Sequence, residues 1–326
     1  QHGFKVNGQY LSDYMGAPFY DYIVDHPMRH TIHLMQNLKD FYVICLDLDH
    51  VNYIKNYFPN IKDAYMLPLG GWYNEGTKIK PIADRKYDVV LTGSYYKLSD
   101  IEAKIVDNEQ SIIDLCVETI NYMLANRYAT NEEAMAAVVK NAGITLKPTE
   151  FAYYMGQIEK SNYFINAYAR EEIVRYLIDS GVKLELFGNG WDQLDVDDWK
   201  NTTVHKGVTY EETADIYADS KIVLNTMPWF KNGLHDRVPT AMLNGAVAVT
   251  DATGYLIDNV KCNGDDAEVI TYDIAHPESV SDVLNAILAD EEYMQAVADR
   301  GREKALATMT WEKRVDGLVE IILGNL

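Results

Sequence analysis

Cysteine is scarce: the 326 residues hold three, Cys45, Cys116 and Cys262, each in an apolar or isolated context and none at metal-ligand spacing. That excludes a disulfide-stapled scaffold and leaves reduced thiols in a cytoplasmic protein as the plain reading. Basic residues are in deficit as well. Lys and Arg number 29 against 49 Asp and Glu, for a formal net charge of −20. Such a surface repels nucleic-acid phosphates and anionic lipid, so neither is expected as a partner. Long apolar runs are missing too. YVICL, KIVLN and GAVAVT are strand-sized, far short of the ~20 residues a membrane span needs. Neither a signal peptide nor an internal repeat is visible. The chain opens at Gln1 without an initiator Met, which suggests a piece excised from something longer.

What is present suits a folded protein of two domains. Hydrophobic residues make up 48% and charged residues 24%, enough for a large core, and the length fits two units of roughly 150 residues. The charge is uneven: residues 1–85 hold 8 basic and 9 acidic side chains, leaving a net −19 for the rest. Residues 17–27, APFYDYIVDHP, read as a strand closed by Pro27, and residues 28–40 as the following helix. DFYVICLDL is the next strand, HVNYIKNYFP a short helix with Asp49 as its cap, and AYMLPLG a third strand. This β-α-β-α-β order predicts a parallel sheet of three strands, half of a doubly wound domain. We therefore expect a partial first domain over residues 1–70.

Residues 71–86 carry Gly, Pro and charge without periodicity, as a linker does. YDVVLTGSYY then opens a second sheet. Helical periodicity fills residues 98–180, ending at Gly181, and the strand and helix alternation resumes with VKLELFG, KIVLNTMP, AVAVTD and AEVITYD. The expected architecture is α/β, with two Rossmann-like domains on parallel sheets. The second would span 87–310 and contain the helical insertion at about 98–180, with 311–326 as a closing helix that returns to the first domain.

Three stretches could carry chemistry. Gly93 and Ser94 follow a buried strand and precede helix, where glycine lets a backbone approach phosphate and a helix N-terminus offers free N–H groups. A strand ending in Gly-Ser is also an ordinary turn, so the loop alone does not decide. FGNGW places Phe187, Gly188 and Trp191 at another strand end, the side of an open α/β sheet where ligands collect; Trp191 could line a pocket or cover the sheet. The densest stretch is 221–254. A buried strand delivers Asn225, a loop carries Lys231, Gly233, His235, Asp236 and Arg237, and a helix starts with Pro239 in its first turn. A guanidinium beside a helix N-terminus suits a diphosphate, and in so acidic a chain an anion site must be locally positive. An ion pair between Arg237 and Asp236 is the competing reading.

The string D-R-V-P-x-A-x-x-x-G-A-x-x-x-T-D at 236–251 resembles the carboxyl-terminal domain of GT-B glycosyltransferases. The resemblance is strongest to the family-1-like group that includes the spore-maturation CgeB proteins, with their R-V-F-E-A-x-A-C-G-A-x-L-x-T-D. YDVVLTGS, FGNGW, VHKGVTYEETADIYADSKIVLN and the late WEKRV fit the same group, so the resemblance covers residues 87–325. It implies a nucleotide-sugar donor in the second domain, UDP-sugar being the first guess, with Gly93 and Ser94 near the phosphates. Phe187, Gly188 and Trp191 would lie near base and ribose, and Asn225, His235 and Arg237 near diphosphate or sugar. The acidic residue that holds the donor ribose in such enzymes falls at Thr240 here, one helical turn after Asp236, which could substitute.

Asp25 and His26 end a first-domain strand that would face the cleft, where either could take a proton from an acceptor hydroxyl; capping and surface exposure are the alternatives. Asp47 and Asp49 mimic a metal-binding D-x-D, but read as a strand end and a cap. Tyr95, Tyr96, Tyr153 and Tyr154 could flank an acceptor groove or simply pack. The expectation is a cytoplasmic, metal-independent glycosyltransferase without a cofactor, moving a sugar to a glycan, protein or small-molecule hydroxyl. The rivals are a nucleotide-sugar epimerase on the same scaffold and a non-catalytic binding module.

Overall fold

A computed structural model describes residues 5–325. Residues 1–4 and 326, the outer ends of the expected first domain and closing helix, lie outside the described residues. The chain opens on an antiparallel hairpin, β1 (Lys5–Val6) and β2 (Gln9–Tyr10), and a short helix α1 (Leu11–Met15), none of them expected. β3 (Phe19–Ile23), β4 (Phe41–Cys45) and β5 (Asp63–Met66) then form the three-stranded parallel sheet. β4, FYVIC, is buried at every residue, as a β-rich run sealed on both faces should be. Between β3 and β4 the expected helix over 28–40 shrinks to a 3₁₀ turn (Pro27–His30) and α2 (Thr31–Leu34). The helix α3 (Leu48–Tyr57) is capped by Asp47 rather than Asp49, whose own N–H donates to the Asp47 carboxylate at 2.7 Å.

The second sheet has six parallel strands. They are β6 (Tyr87–Thr92), β7 (Leu184–Phe187), β8 (Thr202–His205), β9 (Ser220–Leu224), β10 (Val247–Asp251) and β11 (Ile270–Tyr272), in the order β11-β10-β9-β6-β7-β8. This is the doubly wound order, and its reversal falls between β6 and β9, where a crevice opens beyond the strand ends. Five helices interrupt the sheet between β6 and β7. They are α4 (Leu98–Val106), α5 (Gln110–Ala125), α6 (Asn131–Asn141), α7 (Pro148–Gln157) and α8 (Glu159–Ser180). A reciprocal Thr130–Glu133 capping box starts α6, and Gly181 in the left-handed region stops α8 as expected. The rest are α9 (Tyr210–Ala218), α10 (Arg237–Leu243), α11 (Gly254–Asn259), α12 (Val280–Leu288), α13 (Glu291–Thr308) and α14 (Trp311–Leu323).

The inserted helices belong to the second sheet by sequence but cover the first sheet in space. Phe41, Val43 and Phe58 share one core with Cys116, Met135, Phe151 and Met155, and the Tyr57 and Phe151 rings stack at 4.3 Å. The half domain thus closes its core with helices in place of absent strands. α8 runs through both cores: Phe164 and Ile165 pack in the first, Ile173, Val174 and Leu177 in the second. α14 returns to the first sheet, where Arg314 Nε donates to the Leu69 carbonyl and Tyr65 OH donates to Asn325.

Candidate functional site

The crevice is built first by two glycine loops zipped together. Gly93 N donates to the Phe187 carbonyl at 2.8 Å, Tyr95 N to the Asn189 carbonyl at 2.9 Å, and Trp191 Nε1 to the Gly93 carbonyl at 2.9 Å. Only a residue without Cβ fits at 188, because a Cβ there would sit 2.1 Å from the Gly93 oxygen. Trp191 is fully buried and stacks on Tyr95; it props the loop from beneath rather than offering a face to a base. Phe187 is likewise turned into the core, parallel to His205 at 4.2 Å.

Above Gly93 (φ +143) lie two arginines. A Cβ at this position would meet Arg170 Cζ at 3.3 Å and Arg237 Nη2 at 3.5 Å. Arg170 Nη1 donates to the Ser94 carbonyl at 2.7 Å and Arg237 Nη1 to Asn225 Oδ1 at 2.9 Å, while Asn225 Nδ2 donates to Thr250. These partners are neutral. Among the described residues no carboxylate forms an ion pair with either guanidinium; Asp236 feels the Arg237 charge but does not bond to it. Burial and the neighbouring Arg237 charge lower the Arg170 pKa to about 9. Asp236 instead binds His235 Nδ1 at 2.6 Å. Burial opposes its ionisation, but His235 and Arg237 hold it down at about 2. Burial and the Arg237 charge keep His235 below the usual histidine range.

Several expected donor contacts are committed elsewhere. Lys231 is mostly buried beneath the cleft, its Nζ donating to the Arg127 carbonyl at 2.6 Å, and burial lowers its pKa. The backbone N–H groups of Lys231 and Asn232 both donate to Asp47 Oδ2, at 3.0 and 2.9 Å. Gly233 is there because the loop presses on Asp47; a Cβ would lie 2.7 Å from that side chain. Asp47 and Asp49 therefore tie the two sheets together, and among the described residues no cluster of three or more His, Cys, Asp or Glu could hold a metal. The Thr240 hydroxyl donates to the Asp236 carbonyl at 2.7 Å and accepts from Trp72 N at 3.1 Å, so its one donor is committed, and at 1% exposure it is shut away from the cleft.

On the first-domain side the two candidates separate. His26 is buried, neither at the surface nor in the cleft. Its Nδ1 accepts from Met28 N at 3.1 Å and its Nε2 meets Glu132 at 3.0 Å, so neither nitrogen is left to take a proton from a substrate. Asp25 does line the cleft, half-exposed, with Oδ1 2.9 Å from Arg29 Nη1. The cavity encloses about 510 Å³ between the sheets and α8. Arg29, Lys104, Lys160, Arg170 and Arg237 line it, and Asp25 is the one carboxylate in that lining. A chain of net charge −20 thus concentrates cations in one crevice. Of the tyrosines flanking the insertion, Tyr96 lines the cleft, whereas Tyr153 and Tyr154 lie together outside its lining.

Sequence reasoning missed Arg170 and Arg29. Arg170 sits in mid-helix with no loop or glycine beside it, and Arg29 in the single 3₁₀ turn after Pro27, where Asp25 and His26 draw the attention; only the packing of α8 against both sheets exposes their common direction. Asp251 is buried at the end of β10. Its Oδ1 accepts from Met227 N at 2.8 Å, which fixes the start of the loop that carries Arg237, and burial raises its pKa to about 6.

Comparison with solved structures gives a TM-score of 0.55 to a mutant of S. aureus TarM in complex with Fondaparinux, alpha-GlcNAc-glycerol and UDP, at 12% identity over 94% of this chain and 51% of that one. A second TarM crystal structure superposes at 0.54 and 12% identity, over 94% and 50%. The chain has the GT-B fold. Sucrose-phosphate synthase from Thermosynechococcus elongatus aligns at 0.49 and 13% identity, covering 92% and 66%. The chain spans about half the length of TarM. Residues 169–320 match the family model described as "Glycosyl transferase-like", a span running from the middle of α8 into α14. No curated protein matches the chain. In GT-B terms the crevice lies between the two lobes, and no helix among the described residues is long and apolar enough to cross a membrane.

Proposed function

We propose that this chain is a glycosyltransferase that takes a nucleoside diphosphate sugar as donor, and that Arg170 and Arg237 receive the diphosphate. One observation carries the reading: two adjacent guanidiniums face a glycine loop at the switch point of a doubly wound sheet, and among the described residues neither is hydrogen-bonded to a carboxylate. In the transfer, the acceptor oxygen bonds to the anomeric carbon as the bond from that carbon to the diphosphate breaks. The electron pair leaves with the diphosphate, and the two arginines stabilise it. The acceptor proton goes to Asp25, which lines the opposite wall. Two fixed cations supply the charge that a divalent metal would otherwise bring, which supports a metal-independent reaction.

UDP is the first nucleotide to try, since the TarM complex named above contains it. The relation to CgeB proteins stays part of this proposal, and the free thiols Cys45, Cys116 and Cys262 suit the cytoplasm. A binding module without turnover is the second reading, and Thr240 favours it: its hydroxyl is buried and donates inside the protein, so it does not stand in for a ribose-binding carboxylate.

Thermal unfolding against UDP, GDP, TDP and CDP tests the donor site. A ligand at about 100 times its Kd adds about 2.7 kcal/mol of stability. One base family should raise Tm, and Arg237→Ala should remove that rise; no shift with any nucleotide would end the donor reading. Release of UDP from UDP-sugars, with and without acceptor sugars, separates transferase from silent module.

A further inference from the structure

The cleft carries more positive charge than a nucleoside diphosphate uses. Arg170 and Arg237 match the two charges of the diphosphate. Arg29, Lys104 and Lys160 line the same cavity, and the one carboxylate in that lining, Asp25, is committed to Arg29 at 2.9 Å. Lys104 is left on this wall without a carboxylate, and Lys160 shares its charge with a carboxylate outside the lining. Lys104 has no ion-pair partner among the described residues. Lys160 gives one N–H to Glu159, which is not a lining residue, and an ammonium has three.

The placement of these cations separates them from the donor site. Lys160, Tyr163, Asn166 and Arg170 share the cleft face of α8, and ten residues put Lys160 about 15 Å from Arg170 along the helix axis. That interval leaves room for a transferred sugar and the acceptor end that meets it. Tyr163 supplies a platform between the cations, its ring centroid 4.0 Å from the Arg29 guanidinium and 5.5 Å from Lys160 Nζ. Arg29 is held rigidly, its Nη2 donating to Asn162 at 2.8 Å while its Nε is buried without a partner.

We propose that the acceptor is a phosphate monoester, with its phosphate held by Lys104 and Lys160 beside Tyr163 and its hydroxyl presented to Asp25. The phosphate draws on the unpaired Lys104 ammonium and on the N–H groups that Lys160 does not give to Glu159; the transferred atoms and the proton follow the balance given above. The proposal rests on the donor reading, and its test keeps the two apart.

Protein saturated with UDP is titrated with glucose, glucose 6-phosphate and the methyl phosphodiester of glucose, and binding is read by calorimetry, with a parallel series lacking UDP. Glucose 6-phosphate should bind at least tenfold tighter than glucose and tighter than the diester. A Lys104→Gln, Lys160→Gln double variant should abolish that preference while leaving UDP affinity unchanged; both lysines are at least partly exposed, so the variant folds. Arg170→Gln should do the reverse. Equal binding of all three sugars, or a preference that survives in the lysine variant, overturns the proposal. Equal binding of monoester and diester overturns the monoester assignment. A preference for UDP-glucuronate over UDP-glucose that the lysine variant removes also overturns it, by moving the charge to the donor. If UDP fails to bind while glucose 6-phosphate binds through the lysines, the donor reading falls and the phosphate site stands.

Discussion

Arg170 and Arg237 are matched in chemistry and unequal in legibility. Arg237 sits in a loop-to-helix transition among Gly, His and Asp, a context that announces an anion site, whereas Arg170 is a mid-helix residue indistinguishable by spacing from a solvated one. Side by side they repel, and Arg237 also holds Asn225 and the ionised Asp236, so it is Arg170 whose removal should weaken the ligand without weakening the protein. We expect Arg170→Gln to cut UDP affinity ~10- to 100-fold, from ~1.5–3 kcal/mol per charged hydrogen bond, with the ligand-free Tm unchanged or raised. Calorimetry and unfolding on the same samples check both halves. Asp25→Asn should leave UDP binding intact and lower kcat by ~10²–10⁴, the usual worth of a general base; an unchanged kcat would return Asp25 to its pairing with Arg29. The buried carboxyls give a pH signature. Burial pushes Asp251 and Asp47 up to about 6, above their unfolded range near 4. Each then holds a proton in the fold that the unfolded chain has lost, so the stability it lends is full below about pH 4 and fades as pH rises through 6. The loss is on the order of 3 kcal/mol per group, and Asp251→Asn should flatten the fall of Tm between pH 4 and 7.

Elements were legible where periodicity and punctuation agreed, as in β4, the strands that end just before Gly93 and Asn225, and α8 with its Gly181 stop. They were missed where a strand is short and polar. β8 is only TTVH behind an Asp-rich loop, and Asp and Asn are poor strand formers. Within the shortened helix that replaces the one expected over 28–40, Thr31 packs under α7 and its hydroxyl donates to the Met28 carbonyl. That junction is tight. A Cβ at Gly156 would lie 2.8 Å from Thr31 Oγ1, so Gly156→Ala should destabilise by about 1–3 kcal/mol through overpacking, visible in denaturant unfolding. Gly188→Ala meets backbone instead of a side chain. It should part the two glycine loops and abolish nucleotide binding as well as lowering Tm.

At the scale of the molecule, the sequence showed half a domain and could not show what completes it. Periodicity tells which face of α5, α6 or α7 is buried but not against which sheet, and the helices inserted after β6 turn to the sheet that precedes it. Net charge was similarly half-informative. A total of −20 excludes polyanions from the surface at large, yet says nothing of the five cations that folding gathers from residues 29 to 237.

The unbroken course of α8 through both cores has a kinetic consequence. Its 22 residues form a strut about 33 Å long, fastened at one lobe by Phe164 and at the other by Ile173 and Leu177. Widening the gap between the lobes would bend it or strip one end from its core. The aperture is therefore set before any ligand arrives, and association should be a single phase with a rate linear in UDP concentration, without the plateau of a closing step. The radius of gyration from small-angle scattering should be the same with and without UDP.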